Sequence, residues 1–323
     1  MEQKINTLTK NYSALRNIKV ASWMGLILHG CALKYTVQGK IIEPKKVNEG
    51  LKLIRENTSI FSDFRGNSSV NTAIVLSFQQ NPRISLEHII DIHKKLRKKK
   101  FYSSDSLALT ANTIFENQEK IDIDECIDKV KLIHEAIRQS NSSLTAIDDY
   151  RIACEIAINS KDISKSLLDM QNAYEYLVEN GFNKNSTIQS LAYILSQSNK
   201  RRIWDSCTNI KKELDINKFK LHEYGYPLIG VMALLETDDI KSIINESKNT
   251  SKKLKEYKGY GDFVLVDKYR NMAAIIIVIS KYIEGIDKSN YIVTDVIDNI
   301  DYIMDMAVNV ATTNTIVVNN CPS

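Results

Sequence analysis

Proline and glycine are scarce in this chain: four and eleven in 323 residues. An all-β protein or a doubly wound fold needs many tight turns and would use more of both. Long runs of apolar residues are also missing. Ala21 to Leu33 carries no Asp, Glu, Lys or Arg, but it is only thirteen residues long and holds His29 and two glycines. Met272 to Ile279 is shorter still. A membrane-spanning helix needs roughly 20 apolar residues, so both stretches are expected to be core helices.

Charge of one sign is not in excess. The 43 basic and 39 acidic residues leave a formal +4, far from the basic field of a dedicated nucleic-acid binder. The five cysteines, Cys31, Cys126, Cys154, Cys207 and Cys321, form no CxxC pair and no zinc spacing with the five histidines. Their odd number and dispersion speak against a disulfide framework and for a reducing compartment. The polar start MEQKINTLTK has no apolar signal region, and the expected location is cytoplasmic. Walker, Rossmann, HExxH and GxSxG motifs are missing too, and no cofactor is implied.

What the chain does contain is helical periodicity. Val47, Leu51 and Ile54 share a face, as do Ile89, His93 and Leu96. Further stripes are Cys126, Val130, Ile133 and Ile137; Ile163, Leu167, Met170, Tyr174 and Leu177; Ile203, Cys207, Ile210 and Leu214; and Ile240, Ile244, Ser251 and Leu254. These are steps of three, four and seven, the signature of helices with one buried stripe. After each comes a polar turn and one large apolar residue: Phe64, Phe101, Leu144, Phe182, Phe219 or Tyr260. Their separations are 37, 43, 38, 37 and 41, a period of about forty. Each is expected to plug the end of a helical hairpin.

A second, more uniformly apolar helix follows each plug, over Val70–Phe78, Ser106–Phe115, Asp149–Ile158, Ile188–Leu195, Pro227–Leu235 and Met272–Ile279. Small residues such as Ala73, Ala108 and Gly230 suit close helix packing. Ser103–Asp105, Thr145 with Asp148, and Asn185–Thr187 can cap these helices, Pro227 fits a first turn, and Gly181 fits a helix stop. The expected fold is all-α: tandem helical hairpins stacked as an α–α superhelix, with a compact α/α disc-like bundle as the alternative. One domain covers 1–323. Its expected parts are an N-terminal cap at 1–35, hairpins at 43–80, 84–118, 123–160, 163–198, 201–237 and 240–282, and a C-terminal cap and tail at 288–323.

The blocks Ile147–Asp148–Asp149–Tyr150–Arg151–Ile152–Ala153 and Glu223–Tyr224–Gly225–Tyr226–Pro227–Leu228–Ile229 recur in form. With Leu177–Val178–Glu179–Asn180–Gly181–Phe182, they resemble an uncharacterised all-helical family of Gram-positive bacteria, a domain of unknown function. The resemblance spans nearly the whole chain and implies one helical domain of bacterial cytoplasmic origin. It carries over no catalytic residue. The variant blocks at 103–109 and 265–271 put in doubt an identical role for the acidic–Tyr pair in every hairpin.

Three constellations could carry chemistry. His88, Asp91 and His93 lie close in sequence, but His93 sits about 140° around the helix from His88, so no metal site is expected. A surface His88 and a hydrogen-bonded core His93 are the preferred reading. Asp148 and Asp149, with His222 and Glu223 in the later block, could serve acid–base work. Helix capping and the helix dipole explain Asp148 and Asp149 more simply. The third is basic: Lys94, Lys95, Arg97, Lys98, Lys99 and Lys100 fill six of seven positions at a helix end. Exposed, they could contact an anion or a partner; a solvated helix end is the plainer reading.

The function expected is a non-enzymatic helical-repeat binding or scaffold protein with another protein as partner. The alternatives are a hydrolase-type enzyme with an acidic pocket and a nucleic-acid-associated helical protein, nucleic acid being disfavoured by the small net charge. The exposed first helices and the loops beside the plugs are the expected working surface.

Overall fold

The computed structural model describes residues 1–18, 24–140, 149–184, 186–198, 200–222, 225–237 and 239–284. Among them are fourteen α-helices and no strand, so the fold is all-α. They are α1 Glu2–Arg16, α2 Gly25–Val37, α3 Pro44–Asn57, α4 Ser68–Ser77, α5 Pro82–Lys98, α6 Asp105–Glu116 and α7 Ile123–Ser140. There follow α8 Asp149–Asn159, α9 Ile163–Glu179, α10 Ser186–Ser196, α11 Arg201–Ile216, α12 Tyr226–Leu234, α13 Ile240–Lys255 and α14 Asp267–Glu284. A one-turn 3-10 helix, Asp63–Arg65, precedes α4. The expected C-terminal cap and tail, the plug Leu144 and residues 19–23 of the N-terminal cap lie outside the described residues.

Local signals set the helix starts. Pro44 and Pro82 occupy first turns, where a missing amide costs nothing. The Asn81 side chain accepts from the Ile84 amide at 3.3 Å and Ser104 Oγ from the Leu107 amide at 3.1 Å. Pro227 stands in the first turn of α12.

A recurring C-terminal stop explains the plugs. Lys100, Gly181 and Lys218 adopt φ of 65°, 83° and 51°. The amide of the next residue then reaches back five positions: Phe101 to the Leu96 carbonyl at 3.5 Å, Phe182 to Leu177 at 3.0 Å and Phe219 to Leu214 at 2.9 Å. This is the Schellman arrangement, which pairs orphan carbonyls and brings the residue beyond the stop against the last leucine of the stripe. Phe64, Phe101, Phe182, Phe219 and Tyr260 are all buried. Burial of one such ring contributes about 2–3 kcal/mol.

The described chain divides into two compact units. The N-terminal unit comprises the described residues of Ser13–Ala32 and Ile41–Ile163, and the C-terminal unit those of Met1–Tyr12, Leu33–Lys40 and Ser164–Ala307. In the N-terminal unit α3 packs on α4, α5 on α6 and α7 on α8, while α4, α6 and α8 adjoin in series, as do α3, α5 and α7. In the C-terminal unit α11 packs on α12 and α13 on α14, and α12 lies against both α10 and α14. There the chain's first helix meets the last described hairpin: Lys4 pairs with Glu284 at 2.7 Å, and the Tyr12 and Tyr260 rings meet edge-on at 5.4 Å.

The second helices are enclosed. Every residue of α4 from Ser68 to Leu76, and of α6 from Ser106 to Phe115, is buried. α14, at eighteen residues, is an exception to their shorter length. Their interior is also more polar than an apolar reading suggests. In the N-terminal unit Asn112 donates to Thr72 at 2.9 Å and Asn71 at 3.3 Å. Beside it, Thr113 accepts from the buried Arg151, which also donates to the Leu109 carbonyl at 3.2 Å and pairs with Glu155 at 3.6 Å.

Candidate functional site at the hairpin ends of the N-terminal unit

The α3–α4 connection begins where Thr58 and Ser59 follow the end of α3. Arg65 ties its two sides together, Nε donating to Thr58 Oγ1 at 3.0 Å and Nη2 to the Thr58 carbonyl at 2.8 Å. The Ser62 amide closes the turn on the Ser59 carbonyl at 3.1 Å. Ile60 and Phe61 are thus held at the tip, 74% and 90% exposed. Two adjacent apolar side chains on a braced turn are worth explaining, whereas a lone exposed one is not.

Directly beneath lies Asp63. Its Oδ2 stands 2.7 Å from His93 Nε2 on α5, and its Oδ1 accepts from Ser103 Oγ in the α5–α6 connection. Its main-chain carbonyl accepts from Ser68 Oγ at 2.5 Å. Burial pushes the Asp63 carboxyl up, but the hydrogen bonds from His93, Ser103 and the Ser104 amide outweigh it and hold it below its ordinary value. Next to this group the Ser68 amide donates to Asp105 Oδ1 at 3.0 Å. A Cβ on Gly66 would fall 2.6 Å from that same oxygen, so any side chain there would have to displace the Asp105 carboxylate.

The order of these groups matters chemically. In a nucleophilic triad the imidazole stands between serine and carboxylate and takes the serine proton. Here the carboxylate stands in the middle, and the Ser103 hydroxyl donates to Asp63. The cluster is a latch joining two connections and one helix. It brings Tyr102, which is exposed and donates its amide to Tyr150 Oη at 3.1 Å, onto the edge that carries Phe61.

The basic run ends α5 at this edge, and the structure divides it. Lys95 pairs with Asp124 at 3.0 Å and with Asp91 at 3.7 Å, and Lys99 pairs with Asp128. Arg97 donates to the Phe101 carbonyl, and Lys100 makes the left-handed stop. Lys94, Lys98 and Lys100 remain exposed without an ion pair among the described residues, as does Arg55 at the end of α3. So the run is half scaffold and half surface charge.

The acidic–Tyr blocks give less. Asp148 and Glu223 lie outside the described residues, and Asp149 is described only as the first residue of α8. His222 is half-buried and stacks on Tyr269 at 4.7 Å and 14°. Of the histidine group, His88 is exposed and His93 is bonded to Asp63. Among the described residues no group of three His, Cys, Asp or Glu side chains could hold a metal ion. Cys31, Cys126, Cys154 and Cys207 are buried, and burial raises the Cys126 thiol to about 11. No helix among the described residues is long and apolar enough to cross a membrane.

No motif singled out Ile60, Phe61, Asp63 or Tyr102, and Ser103 stood out only as part of a helix cap. The available signal was the Ile60–Phe61 pair itself, two adjacent apolar residues just before the plug Phe64 in a turn whose other residues are polar.

Comparison with known proteins gives a consistent result. A family described as "Protein of unknown function (DUF4003)" matches residues 11–320. The uncharacterized protein YeaA of Bacillus subtilis (strain 168) is 22% identical over 229 residues, covering 67% of this chain and 68% of that protein. No solved structure matches.

Proposed function

The chain belongs to the DUF4003 family of proteins of unknown function, and from that premise we propose a non-enzymatic binding protein that recognises a protein partner through the hairpin ends of its N-terminal unit. The observation that carries this reading is the exposure of Ile60 and Phe61, 74% and 90%, on a turn whose backbone is braced on both sides. A rigid aromatic anchor loses little conformational freedom on binding and is the kind of side chain that dominates interface energetics. Arg55 at the end of α3, and Lys98 and Lys100 at the end of α5, add exposed positive charge at the ends of the helices whose connections the latch joins, so the partner it suits has an apolar recess rimmed by acidic side chains. The same unit supplies the scaffold, because the Asp63 latch fixes one connection against the next.

The test is affinity capture with the full chain, alongside an Ile60→Ser/Phe61→Ser variant and a Lys98→Glu/Lys100→Glu variant. A specific protein retained by the wild type should fall by roughly thirtyfold or more in the first variant, a typical hot-spot loss. It should weaken, with altered salt dependence, in the second. Identical partners in all three would overturn the reading, and loss of co-purifying nucleic acid instead of protein would move it to the nucleic-acid alternative.

A further inference from the structure

A second braced tip occurs in the C-terminal unit, in the α13–α14 connection. Phe263 there is 105% exposed, and Val264 and Val266 are exposed beside it, while Leu265 between them is buried. This turn does not owe its exposure to slack. The Val264 and Leu265 amides donate to the Gly261 carbonyl at 2.9 and 3.0 Å. The buried Arg270 side chain clamps both flanks, donating to the Tyr260 carbonyl at 2.9 Å and the Leu265 carbonyl at 3.0 Å. Gly259 turns the chain into the tip at φ 93°, and a Cβ on it would collide with the Tyr12 ring. A turn fixed this firmly still projects three apolar side chains into water.

The charges around it are sorted. Asp262 and Asp267 are both held by Arg270, and Asp262 also by Lys255. Lys258 and Lys268 flank the tip, exposed and without an ion pair among the described residues; Glu256 is exposed on that side, as are the paired Asp262 and Asp267. We propose that the α13–α14 tip is a peripheral anchor for an anionic lipid bilayer. Phe263 with Val264 and Val266 enters the interface, and Lys258 and Lys268 meet the headgroups. The Tyr260, Gly261 and Leu265 carbonyls are already used internally, so few main-chain groups at the tip are left to position a folded partner. A fluid interface accepts such a protrusion without shape complementarity, and basic side chains near it add attraction to anionic lipid. One small tip gives weak, reversible binding.

Co-sedimentation of the full chain with phosphatidylcholine vesicles, with and without phosphatidylserine, tests this at low and high salt. The chain should sediment with the serine-lipid vesicles only, and less at high salt. Phe263→Ser/Val264→Ser should lower the bound fraction roughly tenfold or more, and Lys258→Glu/Lys268→Glu at least thirtyfold. Because these side chains are exposed, both variants should keep the wild-type circular dichroism and melting point. Ile60→Ser/Phe61→Ser should bind vesicles like the wild type, which separates this proposal from the protein-binding one. A wild type left in the supernatant with anionic vesicles at low salt, or tip variants that sediment unchanged, overturns the proposal. So does a protein captured through Phe263 in the absence of vesicle binding.

Discussion

His93 Nε2 and Asp63 Oδ2 meet at 2.7 Å across thirty residues of sequence, fastening α5 to the connection between α3 and α4. Phe64 packs its edge on the same imidazole, with ring centroids 5.1 Å apart, so the plug of one hairpin and the first helix of the next share a histidine. Phe101 and His134 repeat the contact one hairpin later at 5.7 Å.

Asp63→Asn keeps the shape of the latch but removes its charge, so His93 and Ser103 lose a carboxylate acceptor. The expected loss is about 1–3 kcal/mol, the range for weakening a part-buried charged hydrogen bond. Urea unfolding measures it. Because the Asp63 carboxyl is held below its ordinary value, its contribution is present above that value and disappears only as pH falls through the lowered one. A variant as stable as the wild type at neutral pH would show that the latch is ornamental.

Acid should weaken the protein well before its carboxylates titrate. Burial lowers His29 to about 3 and His134 to about 4, with nearby positive charge from Arg16 for His29 and from Lys131 and Arg138 for His134 adding to the effect. An unfolded chain takes up protons on these rings below about pH 6.5, whereas the folded chain does not. Stability is therefore complete above that pH and declines as pH falls toward about 4, by roughly 3 kcal/mol for His134 alone. His134→Phe should flatten the decline between those limits when urea midpoints are compared. An equally steep decline in the variant would remove His134 from the account.

Two of the helix stops carry lysine where glycine is the unstrained residue. Lys100 and Lys218 sit at φ of 65° and 51°. Lys100→Gly and Lys218→Gly should each raise stability by about 1 kcal/mol, the relief of left-handed strain less the greater freedom of glycine when unfolded. Thermal melts of the single and double variants give the numbers, and additivity is expected because the two stops belong to different compact units and share no hydrogen-bond partner. A drop in melting temperature in both would mean that the lysine side chains matter more than their backbone.

The buried Arg151–Glu155 pair predicts a rescue. Arg151→Met removes the Arg151 cation from Glu155, which keeps the Asn159 amide at 3.3 Å, and should cost about 3–5 kcal/mol. Adding Glu155→Gln removes the stranded charge and should recover much of that loss. Denaturation of the four members of the cycle tests it. A double variant no more stable than Arg151→Met would mean that the arginine acts through Leu109 and Thr113 rather than through the carboxylate.

Periodicity made part of this fold legible and could not reach the rest. Val47, Leu51 and Ile54 share a helical face and are buried together, and a large ring after a polar turn marked Phe101, Phe182 and Phe219. Gly181 and Pro227 act through their own backbone chemistry, which a sequence displays directly. Lys100 and Lys218 do the work of a glycine without resembling one, so their role depended on seeing the stop. Asp63, His93 and Ser103 lie far apart in sequence, and only packing of α5 against α3 and α4 brings them together. The basic run could be counted, but its partners Asp124 and Asp128 belong to the next hairpin. The expectation for Asp148 and Glu223 falls outside the described residues.

Position 61 is where partner recognition is tested most directly. A photoreactive phenylalanine analogue placed there, and for reference at Leu132 on the exposed face of α7, reports what each site touches in cells. One protein should crosslink from position 61 and not from 132, and that product should be lost when Lys98 and Lys100 are reversed in charge. Crosslinks from position 61 that are absent, or identical to those from 132, would contradict partner recognition through Phe61.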